Sequence, residues 1–362
     1  MNTTPSQMLT YVIPTYNRPQ FLHRLLSYYA KVGCSAPILI ADSSEPVTKA
    51  SNEATVAEFQ NTLNVELHYF ELGVIPKCRQ ILERVATPFA VFSADDDFLV
   101  PSAADKCSLF LSQNTDYGTC GGTALFGQAG LGTTIPARTY RSLTSSSAVQ
   151  RLKNVSLGQY YCLFYAVHCT NRLRERFRIT EEFTNYESSR ILPEVLLLQL
   201  MAMDGKVRLL NDITYIRQGH GDNDSCRLPN VQDPDVFRAD FNRYSQPLVK
   251  RLQAEQVPEN VAIRLVGRTL VDLVPECAAL LHDRPSLFVQ SIRKTTKRFR
   301  KIASFGPMGA GRKFAMDVAT ASRQDDAIHE ALAQLTKKSG RSGLVENAHR
   351  SPKTVLRGHK SA

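Results

Sequence analysis

Short apolar runs that stop on polar residues, with helix-patterned segments between them, constrain this chain more than any other feature. Leu9-Thr10-Tyr11-Val12-Ile13-Pro14 reads as a buried strand ending at proline, and Thr15-Tyr16-Asn17-Arg18-Pro19 as the turn after it. Asn17 is placed to cap a helix whose start is held by Pro19, with Phe21, Leu22, Leu25, Leu26 and Tyr29 on one face. Ile38-Leu39-Ile40-Ala41 repeats the pattern and ends in Asp42-Ser43-Ser44. A helix from about Thr48 to Gln60, a strand around Val65 to Tyr69 and a helix from about Ile75 to Val85, carrying Lys77, Arg79 and Arg84, follow in order. The fourth run, Phe89-Ala90-Val91-Phe92, delivers Ser93-Ala94-Asp95-Asp96-Asp97. Strands alternating with helices predict an α/β fold with a mostly parallel sheet covered on both faces, whose ligands collect at the carboxyl ends of the strands. Asn17, Asp42 and the three aspartates all fall at such ends.

Adjacent carboxylates repel one another and are stable only beside a cation or a basic partner. Mg²⁺ or Mn²⁺ takes oxygen ligands and keeps positions open for substrate phosphates, so Asp-x-Asp at a strand end fits a metal and diphosphate site. The competing interpretation is an acidic turn ahead of the helix that starts at Pro101. In an extended segment side chains alternate, which points Asp95 and Asp97 one way and Asp96 the other.

Downstream, the glycine-rich stretch Gly118 to Gly132 predicts bends and mobile loops, and Leu163 to Val167 a strand. Arg172, Arg174, Arg176 and Arg178 alternate as a solvated face would. Ile191 to Met203 is an apolar helix whose first turn holds Pro193-Glu194 and which stops at Asp204-Gly205. Val207 to Leu210 and Ile213 to Arg217 read as short strands, Gln218 to Ser225 as a loop containing His220, and Asp233 to His282 as helical with a break near Pro258.

The net charge of +10 is unevenly spread: residues 1–284 carry 28 Lys+Arg against 29 Asp+Glu, and residues 285–362 carry 16 against 5. The basicity therefore belongs to the C-terminal extension. Ser286 to Phe305 alternates apolar positions with Arg293, Lys294, Lys297, Arg298, Arg300 and Lys301, a pattern that suits an anionic membrane surface or the surface of the domain itself. Aromatic residues suited to base stacking are sparse there, which ranks nucleic acid last among partners. The eight cysteines have no C-x-x-C pair and no zinc spacing, and free thiols among apolar residues fit a reducing cytosol. Met1 to Gln7 lacks the pattern of a signal peptide, and the longest apolar run, Val195 to Met203, is too short to span a bilayer.

With these residues placed, the chain resembles the family 2 glycosyltransferases of the GT-A fold over about Leu9 to Ser225. Val12 to Arg18 looks like that family's opening strand and nucleotide-contacting turn, Asp42 sits where its nucleobase-binding aspartate ends the second strand, and Ser93 to Pro101 resembles its Asp-x-Asp segment with the trailing proline. Pro193-Glu194 resembles the acidic start of the helix carrying the catalytic base, with Glu187 the next acid to consider, and Arg217 and His220 the basic pair after the last core strand. Two positions depart from the pattern: Ala94 stands where many members have the first aspartate, and Pro193-Glu194 where many have Glu-Asp.

The resemblance implies a Rossmann-like GT-A domain over residues 1–225; the helical pattern after it adds a segment packed on that domain over 226–284, and the charge distribution a basic, helical to disordered extension over 285–362. The resemblance also implies an inverting, Mn²⁺- or Mg²⁺-dependent transferase of hexosyl or N-acetylhexosaminyl class, acting in the cytoplasm in polysaccharide biosynthesis. The expected donor is a nucleoside diphosphate sugar, a UDP-sugar first, and the acceptor a glycan or lipid-linked hydroxyl, with peripheral contact at the inner membrane face through the basic segment. Glu194 is then the general base. Pro14, Thr15, Tyr16, Asn17, Arg18, Asp42, Lys77 and Asp95 hold the nucleotide, and Asp95, Asp97 and His220 the metal, with Asp96 as alternate ligand. Two other classes stay open: a nucleotidyltransferase, which would need a phosphate loop after the first strand, and a non-catalytic membrane-surface binding protein.

Overall fold

The computed structural model describes residues 5–128, 134–136, 140–156, 159–184, 191–219, 234–274, 277, 281 and 326–336. The basic segment 286–305, Cys226, Glu187 and His220 lie outside the described residues. The first half follows the expected alternation: β1 (Leu9–Thr15), α1 (Pro19–Lys31), β2 (Ile38–Asp42), α2 (Pro46–Phe59), β3 (Val65–Tyr69), α3 (Val74–Leu82) and β4 (Phe89–Phe92). A two-residue β5 (Phe98–Leu99) leads to α4 (Pro101–Gln113). Proline opens α1, α2 and α4, where its fixed φ suits the first turn and its missing N–H removes no helix bond.

Next come β6 (Tyr117–Gln128), β7 (Thr134–Pro136), α5 (Ala148–Asn154), α6 (Tyr160–Phe164), β8 (Val167–Cys169), α7 (Thr170–Phe183), α8 (Ile191–Met203) and β9 (Lys206–Gly219). The helices α9 (Pro234–Ala254), α10 (Glu259–Leu273) and α11 (Asp326–Thr336) complete the described elements. The strands form one mixed sheet in the order β3-β2-β1-β4-β8-β6-β9-β5, with β7 paired to β6. Pairs β2/β3, β1/β2 and β1/β4 are parallel, while β8 runs antiparallel between β4 and β6.

Alternation along the central strands divides the core in two. Val12, Leu39, Ala41 and Phe92 pack with α3, α5, α7, α8, α9 and α10 on one face. Tyr11, Ile13, Ile38, Ile40 and Val91 pack with α1, α2, α4 and α11 on the other.

Four expectations give way here. The glycine-rich stretch is largely the long strand β6, because a Cβ at Gly121 would stand 2.5 Å from the Cys162 carbonyl oxygen and one at Gly122 2.3 Å from that of Asp212. These glycines permit close backbone approach rather than bends. The strand expected at Leu163 to Val167 is the end of α6 followed by β8, and the two short strands after Gly205 are one irregular strand, β9. Of the four alternating arginines only Arg178 lies on the surface, paired with Glu175 and Glu182, because the segment is helical and turns the others toward α3 and α8. Arg174 donates to the carbonyls of Leu82 and Val85, Arg172 to that of Asp204, and Arg176 is fully buried beside His168. Within the expected extension, Ala327, Ile328 and Ala331 of α11 are buried in the core, and Glu330 pairs with Lys31 of α1 at 3.0 Å. No helix among the described residues is long and apolar enough to cross a membrane.

Candidate active site at the sheet edge

Register brings the strand ends together. Thr15 lies opposite Asp42 across β1 and β2, and Val12 opposite Phe92 across β1 and β4, with Ser93 N donating to Val12 O at 2.9 Å. The residues that follow each strand therefore share one rim. After β1, Asn17 adopts φ 53°, a left-handed conformation that asparagine tolerates. Its N–H donates to Ser44 Oγ at 2.7 Å and its Oδ1 accepts from Glu45 N at 2.9 Å, so it ties the β1 turn to the β2 turn. It does not cap α1 as its position suggested; Arg18 is the N-cap residue and makes no side-chain cap bond. Tyr16 is exposed on this rim and Pro14 half-buried.

Asp42 is fully buried, its Oδ1 accepting from Ser44 N at 2.7 Å and its Oδ2 from Asn52 Nδ2 at 2.9 Å. Lys77, on α3, sends its ammonium to Thr15 O at 2.8 Å and Ser43 Oγ at 2.7 Å, and burial lowers its pKa.

The three aspartates occupy a turn, not an extended segment, and all are buried, at 4%, 7% and 3% exposure for Asp95, Asp96 and Asp97. The alternation expected of them is therefore absent. Asp95 and Asp96 face the same guanidinium: Arg18 Nη1 lies 3.3 Å from Asp95 Oδ1 and 2.9 Å from Asp96 Oδ2, and Thr15 Oγ1 donates to Asp95 Oδ2 at 2.8 Å. Asp97 turns to β9, accepting from Gln218 N at 2.7 Å and from the Tyr215 hydroxyl. Burial, then repulsion from Asp96, pushes Asp95 up to about 6 and Asp97 up to about 8. Burial and mutual repulsion thus disfavour three ionised carboxylates in this turn, and an added cation would favour their ionised forms. Hard oxygen donors of this kind fit Mg²⁺ or Mn²⁺. Among the described residues no group of three or more acidic, thiol or imidazole side chains gathers in ligating geometry.

Glu194 stands half-buried in the first turn of α8, whose apolar residues share the core with Ala41 and Phe92, the strand residues next to Asp42 and Ser93. Arg217 is half-buried at the end of β9, 5.6 Å from the Phe126 ring, and its charge acts on Asp97. Sequence reasoning did not single out Arg24, Asn52, Tyr215 or Gln218. Arg24 alone carried a signal, as a charge set between Leu22 and Leu25 of a helix that buries both.

No protein-family profile and no curated protein sequence matches this chain. Among solved structures, residues 1–349 of S. aureus TarS in complex with UDP-GlcNAc superimpose with a TM-score of 0.50 at 15% identity, over 74% of this chain and 72% of that one. The longer S. aureus TarS chain aligns at 14% identity and a TM-score of 0.48, and this chain covers 43% of its length. The mannosyltransferase PcManGT from Pyrobaculum calidifontis, in complex with GDP-Man and Mn²⁺, aligns over 90% of this chain and 85% of its own at 12% identity, with a TM-score of 0.42, too low to bear on function. The mixed sheet flanked by helices, read with the TarS superposition, gives this chain a GT-A-like glycosyltransferase fold.

Proposed function

We propose that this protein is an inverting, metal-dependent glycosyltransferase that moves a hexosyl or N-acetylhexosaminyl group from a nucleoside diphosphate sugar to a hydroxyl of a glycan or lipid-linked acceptor. The observation that carries this is the buried turn Asp95-Asp96-Asp97, compensated in part by Arg18 and Thr15, at the carboxyl edge of parallel strands. A UDP-sugar is the first donor to test, because the TarS neighbour is in complex with UDP-GlcNAc. Residues 1–225 supply the donor domain, 226–284 a helical layer on it, and 285–362 the extension, whose basic segment is the candidate for peripheral membrane contact in the cytoplasm.

In this reading Pro14 to Arg18 and Asp42 hold the nucleoside, Asp42 through the lone pairs left by Ser44 and Asn52, while Lys77 and Arg18 face the diphosphate. Asp95 and Asp97 would hold a divalent cation, with Asp96, which converges with Asp95 on one guanidinium, as the alternate ligand; Asp97 also secures β9 to the turn. Such an ion supplies neutralisation of the departing diphosphate, the main electrostatic demand of the step. His220 is the candidate donor to a phosphate oxygen or further ligand. Glu194 takes the proton of the acceptor hydroxyl as that oxygen attacks the anomeric carbon from the side away from the diphosphate, which inverts the centre.

The test is a panel of UDP- and GDP-sugars with and without Mn²⁺. A cognate donor at one hundred times its dissociation constant adds about 2.7 kcal/mol of apparent stability and is slowly hydrolysed only when the metal is present. A panel without thermal shift or turnover would end the proposal.

A further inference from the structure

Arg24, on α1, lies behind the aspartate turn. Its Nη2 donates to the Asp96 backbone oxygen at 2.7 Å and its Nη1 to Gln218 Oε1, joining residues 72 and 194 positions away in the chain. The guanidinium lies 5.1 Å from the Phe21 ring and 4.7 Å from the Phe98 ring, while its Nε is buried with no hydrogen-bond partner among the described residues. A buried donor left without a partner is unfavourable, and is retained where the rest of the group is held by stronger demands. Two bonds run from the turn to β9 beside it, Asp97 to Gln218 N and Asp97 to the Tyr215 hydroxyl. Arg24 adds a third element, α1, that bonds to both sides of this joint.

We infer that Arg24 is a positioning residue of the donor site, a forked clamp that fixes the Asp95-Asp96-Asp97 turn against the end of β9 and so sets where both present their groups to a metal diphosphate. The inference rests on the donor-site reading above. Its chemistry is specific to arginine. A planar fork reaches two acceptors at once while stacking on aromatic rings, whereas an ammonium in the same place keeps the charge and loses the fork. The Gln218 oxygen and the Asp96 carbonyl are neutral acceptors, so the clamp acts through geometry as well as charge.

Charge and position predict opposite signs, which makes the clamp testable. Removing a nearby positive charge by itself would tighten a divalent cation on the carboxylates; releasing the turn would weaken it. The measurements are Mn²⁺ titration by calorimetry and hydrogen exchange of the full chain, on Arg24→Met, Arg24→Lys, Gln218→Leu and the double variant Arg24→Met/Gln218→Leu. Each single variant is expected to weaken Mn²⁺ about tenfold and to speed exchange of the Gln218 amide by a similar factor, with β1 and β2 amides unchanged and the double variant no worse than Arg24→Met. Arg24→Lys and Gln218→Leu decide the matter if Arg24→Met does not fold. Tighter Mn²⁺ binding by Arg24→Met, or an unchanged Gln218 amide, would overturn the clamp. A wild-type chain that binds no Mn²⁺ removes the metal from the proposed function, and the exchange of the Gln218 amide then decides Arg24 alone.

Discussion

Both oxygens of the Asp42 carboxylate already accept hydrogen bonds from Ser44 N and Asn52 Nδ2, so the residue proposed to meet the nucleoside also shapes its own loop. Asp42→Ala is expected to destabilise the fold by about 1–3 kcal/mol, the cost of taking from the buried Asn52 amide its closer acceptor and leaving it the 3.4 Å contact with Ser44 Oγ, and to weaken UDP binding by more than that loss explains. Denaturant titration and UDP calorimetry on the same preparation check this, and losses that match in size would leave Asp42 a loop residue only. Glu194 makes a cleaner case, because Glu194→Gln keeps shape and removes only the base. Transfer should fall by about two to four orders of magnitude while UDP and Mn²⁺ binding persist, and near-normal transfer would pass the role to another acid, Glu187 first. At this scale sequence order located the rim residues, since a strand end is visible as an apolar run that stops. It could not show that Asp95 and Asp96 face one guanidinium, because that depends on a turn rather than an extended segment. Nor could it pair Arg24 with Gln218, 194 positions apart.

The end of α8 shows what elements do to one another. Arg151 donates to the carbonyls of Ala202 and Met203, Arg172 to that of Asp204, and Arg251 to the Asp204 carboxylate at 2.7 Å, so the helix terminus gathers cations where its dipole is negative. Fully buried Arg176 lies 3.6 Å from Asp204 Oδ2 and donates to His168 Nδ1 at 3.1 Å. Burial, then the Arg176 charge, lowers the pKa of His168 to about 3, so it stays neutral in the folded chain while its unfolded counterpart titrates near 6.5. The unfolded state then binds more protons below pH 6.5, and stability is lost as pH falls from there toward 3. At pH 5 this amounts to about 2 kcal/mol relative to neutral pH, and His168→Gln should flatten that part of the profile; an unaltered acid slope would remove His168 as its source. Asp204→Ala should cost about 3–5 kcal/mol by denaturant titration, since it strands Arg176 without its carboxylate. A spacing of two had suggested that these arginines share an exposed face, but helix period and packing against α3 and α8 turn three of the four inward. The early helices were legible because proline starts and apolar faces agree; β6 was not, since its glycines serve contact with Cys162 and Asp212 rather than turning.

At the level of the whole molecule the two faces of the sheet are closed by different parts of the chain. The helices α9 and α10 follow β9 in sequence and cover the face shared with α8, a neighbourhood that hydrophobic periodicity made legible. The other face is completed by α11, drawn from a segment whose composition had suggested a basic extension. Composition averages over 78 residues in which 16 are basic, and eleven helical residues with an apolar stripe disappear in that average. Ala327, Ile328 and Ala331 are buried with α1, β6 and β9 nearby, and Lys31 pairs with Glu330. That ion pair is exposed on the lysine side and contributes little, so the docking rests on apolar contact. Burying an isoleucine side chain contributes about 1.5–3 kcal/mol, and the two alanines add contact without much side-chain entropy to lose. Ending the chain at residue 325 should therefore lower stability by about 2–4 kcal/mol, and Ile328→Asp in the full chain should reproduce most of that loss. The pair of variants separates docking from charge, because truncation removes basic residues that Ile328→Asp retains. An unchanged denaturation midpoint in both would show that α11 does not stabilise the sheet; a loss in both makes it part of the folded core, to be kept in any assay of donor or acceptor.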